Sequence, residues 1–309
     1  MKLQNNDYKN QDPAAALTDF KERVKKYEAV YEKVVDSEDD GKVSYLKLYN
    51  VGQKVEIRRC SGYIPSQVAF HLMNVHISPR KIWLSRHSEG PDQVRGLLGG
   101  DSAQLTGHGE TYATELAKYI GQKMDEMKDL RADQGEEYRG DELVVMVGTQ
   151  AIHHSTIEVL KKSFGPGLTI MNNSILNELR GGELDKMTHS EIKRKFPEIW
   201  EERMKDKLHF RYPGAGGESY IDLIQRIKPV IIELERQRKS VLVVSHLAVQ
   251  RCLCAYFSGL PIEELPFLNM PIHVVTELDI QPHGTTKTAE RLAESTTQAS
   301  AMPRESCNL

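Results

Sequence analysis

Residues 79–89, PRKIWLSRHSE, join a short apolar run to a polar one. The apolar residues Ile82, Trp83 and Leu84 favour a β-strand, and Arg86 and His87 follow within two residues. In an open α/β sheet, ligand-binding groups converge at the carboxyl ends of the strands. An arginine beside a histidine at that point is placed to hold a phosphate and to attack it. Taken alone, the dipeptide is more typical of two exposed polar residues.

The remainder of the chain alternates predicted strands with predicted helices. After residue 80, strands are predicted at 81–85, 143–147, 168–171, 241–244 and 272–278, and helices at 106–127, 155–162, 188–196, 198–207, 219–238 and 248–257. This alternation favours a layered α/β domain with a largely parallel sheet. The preceding part is predicted to hold a helix at 14–31, strands at 43–49 and 55–59, and a buried helix at 64–76.

Composition and charge exclude several classes of protein. The 309 residues carry a net charge of −3, which gives no global signature of nucleic-acid or acidic-membrane binding. The first residues lack the apolar core of a signal peptide, and no apolar run is long enough to span a membrane. The four cysteines are too few and too scattered for a disulfide framework. We therefore expect a cytoplasmic protein with no nucleic-acid or membrane partner.

Four short motifs follow one another at the edges of predicted elements: Arg86-His87, Asn177-Glu178, Gly217-Glu218-Ser219-Tyr220 and Ser245-His246. This series resembles the histidine phosphatase superfamily and, within it, the bisphosphatase half of the bifunctional 6-phosphofructo-2-kinase/fructose-2,6-bisphosphatase family. The resemblance extends from about residue 6 to residue 279. It implies an α/β fold in three layers, with a mostly parallel sheet flanked by helices.

The resemblance also divides the chain into three parts. Residues 80–280 correspond to the phosphatase domain, and residues 1–79 are similar to the last part of the kinase domain. No phosphate-binding run of the form G-x-x-x-x-G-K-[ST] occurs in the sequence, so kinase activity is not expected of this chain. Whether the chain is a fragment, a short isoform or a reduced homologue stays open. Residues 281–309, rich in threonine, serine and alanine, are predicted to be a disordered tail.

Catalytic roles follow from the resemblance. His87 matches the nucleophile that forms a phosphohistidine, and His246 matches a histidine that donates a hydrogen bond to the phosphoryl oxygens. Glu178 matches the general acid, and Arg86 matches a phosphate-neutralising arginine. No metal or other cofactor is implied. Without the resemblance, a histidine after a buried strand is more often structural, and a loop glutamate is more often solvated.

The substrate-binding positions of the family match Arg203, Lys207, Tyr220 and Arg251. Arg203 and Lys207 are four residues apart, so a helix would place both cations on one face. For Lys207 the sequence supports a charged outer helix face equally well.

The chain departs from the family pattern at five positions. A phosphate-contacting asparagine is replaced by Gln93, and a phosphate-clamping arginine aligns with Ser155. The other departures are Ser88 for glycine, His189 for tyrosine and Leu247 for glutamine. An added side chain at position 88 would strain the turn if φ is positive there. These changes predict weakened hydrolysis, and Ser155→Arg is predicted to raise turnover.

Two further histidines, His153 and His154, lie beside the aligned serine. They are interpreted as surface residues and not as a metal site, with the alternative that one of them, when protonated, partly replaces the missing arginine.

Three functional hypotheses remain. The first is hydrolysis of the 2-phosphate of fructose 2,6-bisphosphate, which yields fructose 6-phosphate and phosphate. The second is a catalytically degenerate domain that binds a sugar phosphate or a protein partner and regulates. The third is another phosphatase or a mutase of the superfamily. The expected partners are a small sugar bisphosphate and either a second copy of the chain or a kinase domain.

Overall fold

The computed structural model describes residues 13–49, 54–74, 80–133, 143–165, 168–281 and 284–296. The chain divides into two compact units. Unit 1 comprises residues 1–78 with 281–284, and unit 2 comprises residues 79–280 with 285–309. No helix in the described ranges combines the length and the apolar character that crossing a membrane requires.

Unit 1 contains a helix, a hairpin and a second helix. Helix α1 spans Pro13–Ala29, strands β1 (Tyr45–Tyr49) and β2 (Lys54–Arg58) pair antiparallel, and helix α2 spans Tyr63–Asn74. The predicted strands and helices of this unit are therefore confirmed. The prediction that α2 is buried is wrong, because Ala69 is its one buried side chain and Tyr63 is 80% exposed. Residues 75 and 76 of that prediction lie outside the described ranges.

Unit 2 is built on a six-stranded sheet. Its strands are β3 (Arg80–Arg86), β4 (Leu143–Val147), β5 (Thr169–Asn172), β6 (Ser240–Ser245), β7 (Val274–Gln281) and β8 (Gly284–Arg291). Its helices are α3 (Pro91–Arg95), α4 (Gly107–Asp133), α5 (Ala151–Phe164), α6 (His189–Lys195), α7 (Pro197–Lys205), α8 (Tyr220–Arg236) and α9 (Leu247–Ser258).

The sheet has the order β5-β4-β6-β3-β7-β8, and its central part is parallel. β5, β4, β6 and β3 run in one direction, whereas β7 pairs antiparallel to β3. The mostly parallel sheet predicted from the alternation of elements is confirmed.

Alternate residues of the central strands enter two separate cores, which makes unit 2 three layers deep. Ile82 and Leu84 pack on one face with α8 and α9, while Trp83 between them packs on the other face with α4 and α5. β6 alternates in the same way, with Val243 in the first core and Val244 in the second. Because both faces are covered, the central residues of these strands, 82–84 and 241–244, are apolar without interruption, as is typical of buried parallel strands.

Two predicted boundaries are wrong. Helix α7 ends at Lys205, so Lys207 lies beyond the helix and does not share a helical face with Arg203. The tail predicted to be disordered contains strand β8, which extends the sheet beside β7. β8 contains three threonines, which favour strands. By pairing with β7 it covers an edge of the sheet that would otherwise be unpaired. Residues 297–309 of that prediction lie outside the described ranges.

We predict that Ile82→Ala lowers the free energy of unfolding by about 2–5 kcal/mol, because Ile82 is fully buried at the centre of the sheet. Chemical denaturation of the intact chain measures the change. Ile262→Ala is the matched control, since Ile262 is 40% exposed and its truncation should change the free energy by less than about 0.5 kcal/mol. Equal effects of the two substitutions would contradict the assigned burial.

Candidate active site

The register between β3 and β6 brings two histidines together. In the parallel pair, Arg86 lies opposite Ser245, so the residues that follow, His87 and His246, leave the sheet side by side. The His87 N–H donates to the Ser245 carbonyl at 3.1 Å. The two imidazole centroids are 4.5 Å apart, and both side chains are buried. The proximity predicted from the two strand ends is confirmed.

A backbone contact fixes the tautomer of His87. Its Nδ1 lies 2.7 Å from the Ser88 carbonyl oxygen, which can only accept, so Nδ1 carries the proton. Burial lowers the pKa of His87 well below its usual range, and the neighbouring His246 and Arg86 lower it further. The ring is thus neutral near pH 7, with the lone pair on Nε2. That atom is the one able to act as a nucleophile.

Glu178 supports the second imidazole. It follows β5 and a 3₁₀ turn at Ser174–Leu176, and its Oε2 lies 3.3 Å from Nδ1 of His246. Burial by itself raises the pKa of Glu178, but the charge and hydrogen bond of His246 outweigh this, so the net pKa is lowered. The Arg226 guanidinium holds this loop in place by donating to the carbonyl oxygens of residues 175, 177 and 178.

Arg86 adds a fixed cation beside the imidazole of His87. Its guanidinium donates to Gln93 Oε1 at 3.0 Å and to the Met270 carbonyl at 3.3 Å. Burial lowers its pKa to about 10, so it remains charged near neutral pH. Gln93, His87, His246 and Glu178 line a cavity of about 40 Å³.

His153 also belongs to this cluster, so it is the one of the two histidines that is placed to replace the missing arginine. Its ring is fully buried, with centroid distances of 4.6 Å to His246 and 6.0 Å to His87. The interpretation of His153 as a surface residue is therefore wrong, while His154 is exposed as expected. Successive residues of a helix face different directions, so His153 points toward the cluster while His154 points toward solvent.

Ser155 does not lie in the cluster, so its assignment to the phosphate site is wrong. Its hydroxyl donates to the carbonyls of Ala103 and Ala151, and it lines a different, open cavity with Glu158 and Lys162. Helical geometry explains the error, because residues 153 and 155 on α5 face different directions. The predicted gain in turnover from Ser155→Arg loses its structural basis.

A second cavity of about 270 Å³ lies next to the histidines and shares Glu178 with the first. It collects all four positions matched to substrate binding, Arg203, Lys207, Tyr220 and Arg251. Arg203 Nε donates to the Tyr212 hydroxyl at 2.9 Å, and Arg251 donates to the Tyr220 hydroxyl at 2.9 Å. Burial lowers the pKa of Lys207, and the two arginines lower it further.

Two positions that depart from the family pattern, His189 and Leu247, also line the second cavity. His189 packs against Trp200 with centroids 5.6 Å apart. Burial, with Arg203 and Lys207 nearby, lowers the pKa of His189 to about 4. His189 is therefore a neutral lining residue and adds no charge to the cavity at neutral pH.

Ser88 causes no backbone strain. Its φ is not positive, so the concern about a side chain at this turn is unfounded. Its N–H donates to the Thr156 hydroxyl at 3.0 Å, which ties the loop to α5.

Glu89, the next residue, anchors the end of the described chain. Its buried carboxylate accepts hydrogen bonds from Thr106, Ser295 and Thr296 at 2.6–2.9 Å. The His273 ring links the same two segments, since Nε2 accepts from the Glu89 N–H and Nδ1 contacts the Glu294 carbonyl. No sequence signal pointed to this contact, because the composition of residues 281–309 predicts a disordered tail.

Comparison with known proteins gives matches to both units. Residues 151–292 match the family model of the histidine phosphatase superfamily (branch 1), and residues 1–79 match that of 6-phosphofructo-2-kinase. A relative from Gallus gallus named 6-phosphofructo-2-kinase/fructose-2,6-bisphosphatase is 39% identical over 92% of this chain and 55% of its own length. "6-phosphofructo-2-kinase 1" of Saccharomyces cerevisiae is 36% identical over 100% of this chain and 37% of its own length.

A probable 6-phosphofructo-2-kinase of Schizosaccharomyces pombe is also 36% identical, over 92% of this chain and 48% of the relative. The chain thus spans about half the length of these relatives or less. Among solved structures, a putative alpha-ribazole-5'-P phosphatase from Escherichia coli has a TM-score of 0.54 at 22% identity, over 70% of this chain and 96% of that one. The fold of unit 2 is that of the histidine phosphatases.

We predict that His246→Ala raises the pKa of Glu178, because burial then acts with less opposition. In the native protein this pKa is depressed, so the carboxylate stabilises the fold above its unfolded pKa of about 4.5 and that contribution is lost as pH falls through the folded value. In the variant, this loss of stability should begin at a higher pH. Carbon-13 NMR of the side-chain carboxyl and acid unfolding measure the two effects, with Leu247→Ala as the control. An unchanged pKa would show that the 3.3 Å contact is electrostatically unimportant.

We predict that Glu89→Ala frees residues 294–296, because the hydroxyl and amide donors of this segment lose their acceptor. Amide hydrogen exchange of the segment should rise at least tenfold, and unfolding free energy should fall by about 1.5–3 kcal/mol. The exposed Glu264→Ala serves as control. Unchanged exchange in Glu89→Ala would mean that other contacts hold the segment.

Proposed function

We propose that this chain hydrolyses the 2-phosphate of fructose 2,6-bisphosphate through a phosphohistidine at His87. Unit 2 has the histidine phosphatase fold, and residues 151–292 match that superfamily. The observation that carries the proposal is the pair of adjoining cavities that share Glu178. One is lined by the imidazoles of His87 and His246 and by Gln93, which accepts a hydrogen bond from Arg86, and the other holds three cations.

The first cavity suits transfer of a phosphoryl group. Nε2 of His87 attacks phosphorus while the bond between phosphorus and the sugar oxygen breaks. Arg86 and His246 stabilise the charge on the phosphoryl oxygens. Glu178 lies between the two cavities, where the leaving oxygen would emerge. A phosphate dianion close to its carboxylate raises the pKa of Glu178, which enables it to hold the proton that the leaving oxygen requires.

The second step releases phosphate. Water attacks the phosphohistidine, Glu178 accepts a proton from that water, and the nitrogen–phosphorus bond breaks to restore neutral His87. Glu178 thus acts as acid in the first step and as base in the second.

The second cavity suits a second phosphate on the same substrate. Arg203, Lys207 and Arg251 carry like charges in a partly buried space, and the lowered pKa of Lys207 reflects both burial and repulsion. An anion between them relieves that repulsion and forms charge-assisted hydrogen bonds. A substrate with one phosphate at each end of a sugar satisfies both cavities, whereas a simple phosphate ester leaves the second unused.

The main rival is a degenerate domain that binds a sugar phosphate without hydrolysing it. Two observations favour it: Gln93 and Leu247 depart from the family pattern at the site, and the two fungal relatives are named as kinases alone. The third hypothesis, a broader phosphatase or mutase, shares the fold with the solved neighbours but does not account for the cations of the second cavity.

Substrate labelled with ³²P at the 2-position tests the proposal. We predict label on the native protein, none on His87→Ala, and a turnover reduced about 10²–10⁴-fold in Glu178→Gln. Arg203→Ala should raise KM for the bisphosphate without affecting a simple aryl phosphate, and the exposed Arg194→Ala is its control. Binding without label would support the degenerate domain. Equal turnover of aryl phosphate and bisphosphate would support a broader phosphatase.

We further propose that residues 1–79 are the end of a kinase domain and that unit 1 packs against more of that domain in a longer protein. The match of this stretch to the kinase family supports the proposal. So do the exposed apolar side chains of α2, which include Tyr63, Ile64 and Met73. Analytical ultracentrifugation of this chain, alone and with a separately expressed kinase segment, distinguishes that partner from a second copy of the chain.

A further inference from the structure

Buried polar atoms without a hydrogen-bond partner concentrate at the histidine cluster. Within the described residues, seven buried side-chain nitrogen or oxygen atoms have neither a hydrogen-bond nor an ion-pair partner, and five of them belong to Arg86, Ser88, His153 and His246. Such atoms are rare in folded proteins because each one costs the free energy of its lost hydration. Their concentration at one place indicates that they serve a polar ligand.

His153 accounts for two of the five atoms, since both of its ring nitrogens lack a partner. A histidine that merely fills a core normally bonds through at least one nitrogen. The ring occupies the carboxyl end of β4, where a Cβ on Gly148 would lie 2.3 Å from its Cε1. The absence of a side chain at Gly148 is therefore what admits the ring to the cluster.

Three parallel strand ends thus place three imidazoles around one point. The centroid of His246 lies 4.5 Å from that of His87 and 4.6 Å from that of His153, and the remaining side is 6.0 Å. His87 and His246 line the cavity of about 40 Å³, and His153 packs directly against both of these rings. Burial lowers the pKa of His153 well below its usual range, and His246, His87 and His154 lower it further, so the free ring is neutral.

We propose that His153 is a third phosphate-contacting imidazole, which becomes protonated as phosphate enters and donates a hydrogen bond to a phosphoryl oxygen. The inference rests on the proposed function for the identity of the site but not for the identity of the substrate. The proton comes with the phosphate when that is a monoanion and from solvent when it is a dianion. No bond between heavy atoms is made or broken in this step.

The surroundings determine the direction of the pH dependence. His87 from the end of β3, His246 from the start of α9 and His154 from its own helix all disfavour a charge on His153, while the Glu178 carboxylate is held by His246. A doubly negative phosphate reverses that balance. Because a phosphate ester loses its second proton near pH 6, binding through His153 should take up a proton above that pH and weaken as pH rises.

Two measurements on the full chain test this inference with inorganic phosphate as the probe. Nitrogen-15 NMR of the ring should show His153 changing from neutral imidazole to imidazolium when phosphate is added at pH 7. Calorimetry in buffers of different ionisation enthalpy should show proton uptake on binding. His153→Gln should bind phosphate about tenfold more weakly and take up fewer protons than the native protein. His154→Gln, at the exposed neighbour, should behave as native.

His153→Arg provides the complementary variant, because a permanent cation needs no proton. Its phosphate affinity should change less than the native affinity between about pH 6 and 8. Any one of three results would overturn the inference. The first two are a native protein that does not bind phosphate and NMR signals of the His153 ring nitrogens that do not change when phosphate binds. The third is a His153→Gln variant with the phosphate affinity and proton uptake of the native protein. Thermal unfolding confirms that each variant is folded, and the NMR measurement requires no substitution.

The outcome is separable from that of the proposed function. If fructose 2,6-bisphosphate is not hydrolysed but phosphate binding protonates His153, the proposed substrate fails and the inference stands. If the bisphosphate is hydrolysed and His153→Gln is fully active, the inference fails and the proposed function stands.

Discussion

The parallel pairing of β3 with β6 is the constraint on which the site depends. Because the two strands run in register, residues 87 and 246 leave the sheet at one edge with their rings 4.5 Å apart. Both strands are buried between two cores, so neither can slip by one residue without turning its apolar side chains to the wrong layer. The precision of the histidine pair therefore comes from the packing of Ile82, Leu84 and their partners on β6, and not from the loops that carry the histidines.

Burial then sets the chemistry of the site. It keeps His87 neutral and exposes a lone pair on Nε2, because Nδ1 is committed to the Ser88 carbonyl. It also makes every charge in the cavities interact more strongly than it would in water. Arg86 and the cations of the second cavity consequently favour anions, while Glu178 is kept ionised by its contact with His246. The same environment holds one fixed positive charge and several groups whose protonation depends on what enters.

The two cavities suggest how specificity and chemistry are divided. The histidine cavity contains the groups that act on a phosphoryl group, and the larger cavity contains groups suited to binding alone. Glu178 borders both, so a substrate anchored in the second cavity presents its reacting end to the first. The departures at Gln93, His189 and Leu247 fall within this arrangement and leave its main polar groups in place. Ser155, which the alignment had implicated, lies outside it.

The order of strands and helices, the mostly parallel sheet and the meeting of His87 with His246 could all be predicted from sequence. The reason is that buried strands are recognisable as apolar runs, and residues at their carboxyl ends share an edge. The sequence did not reveal that His153 points inward while Ser155 points away, because a shift of two residues on a helix changes the face and the alignment could not resolve it. Nor did it show that residues 284–291 pair with the sheet and that Ser295 and Thr296 bond to Glu89, since their composition is that of a disordered segment. Contacts between distant parts of the chain, and the burial that governs the protonation of the site, were decided by tertiary structure alone.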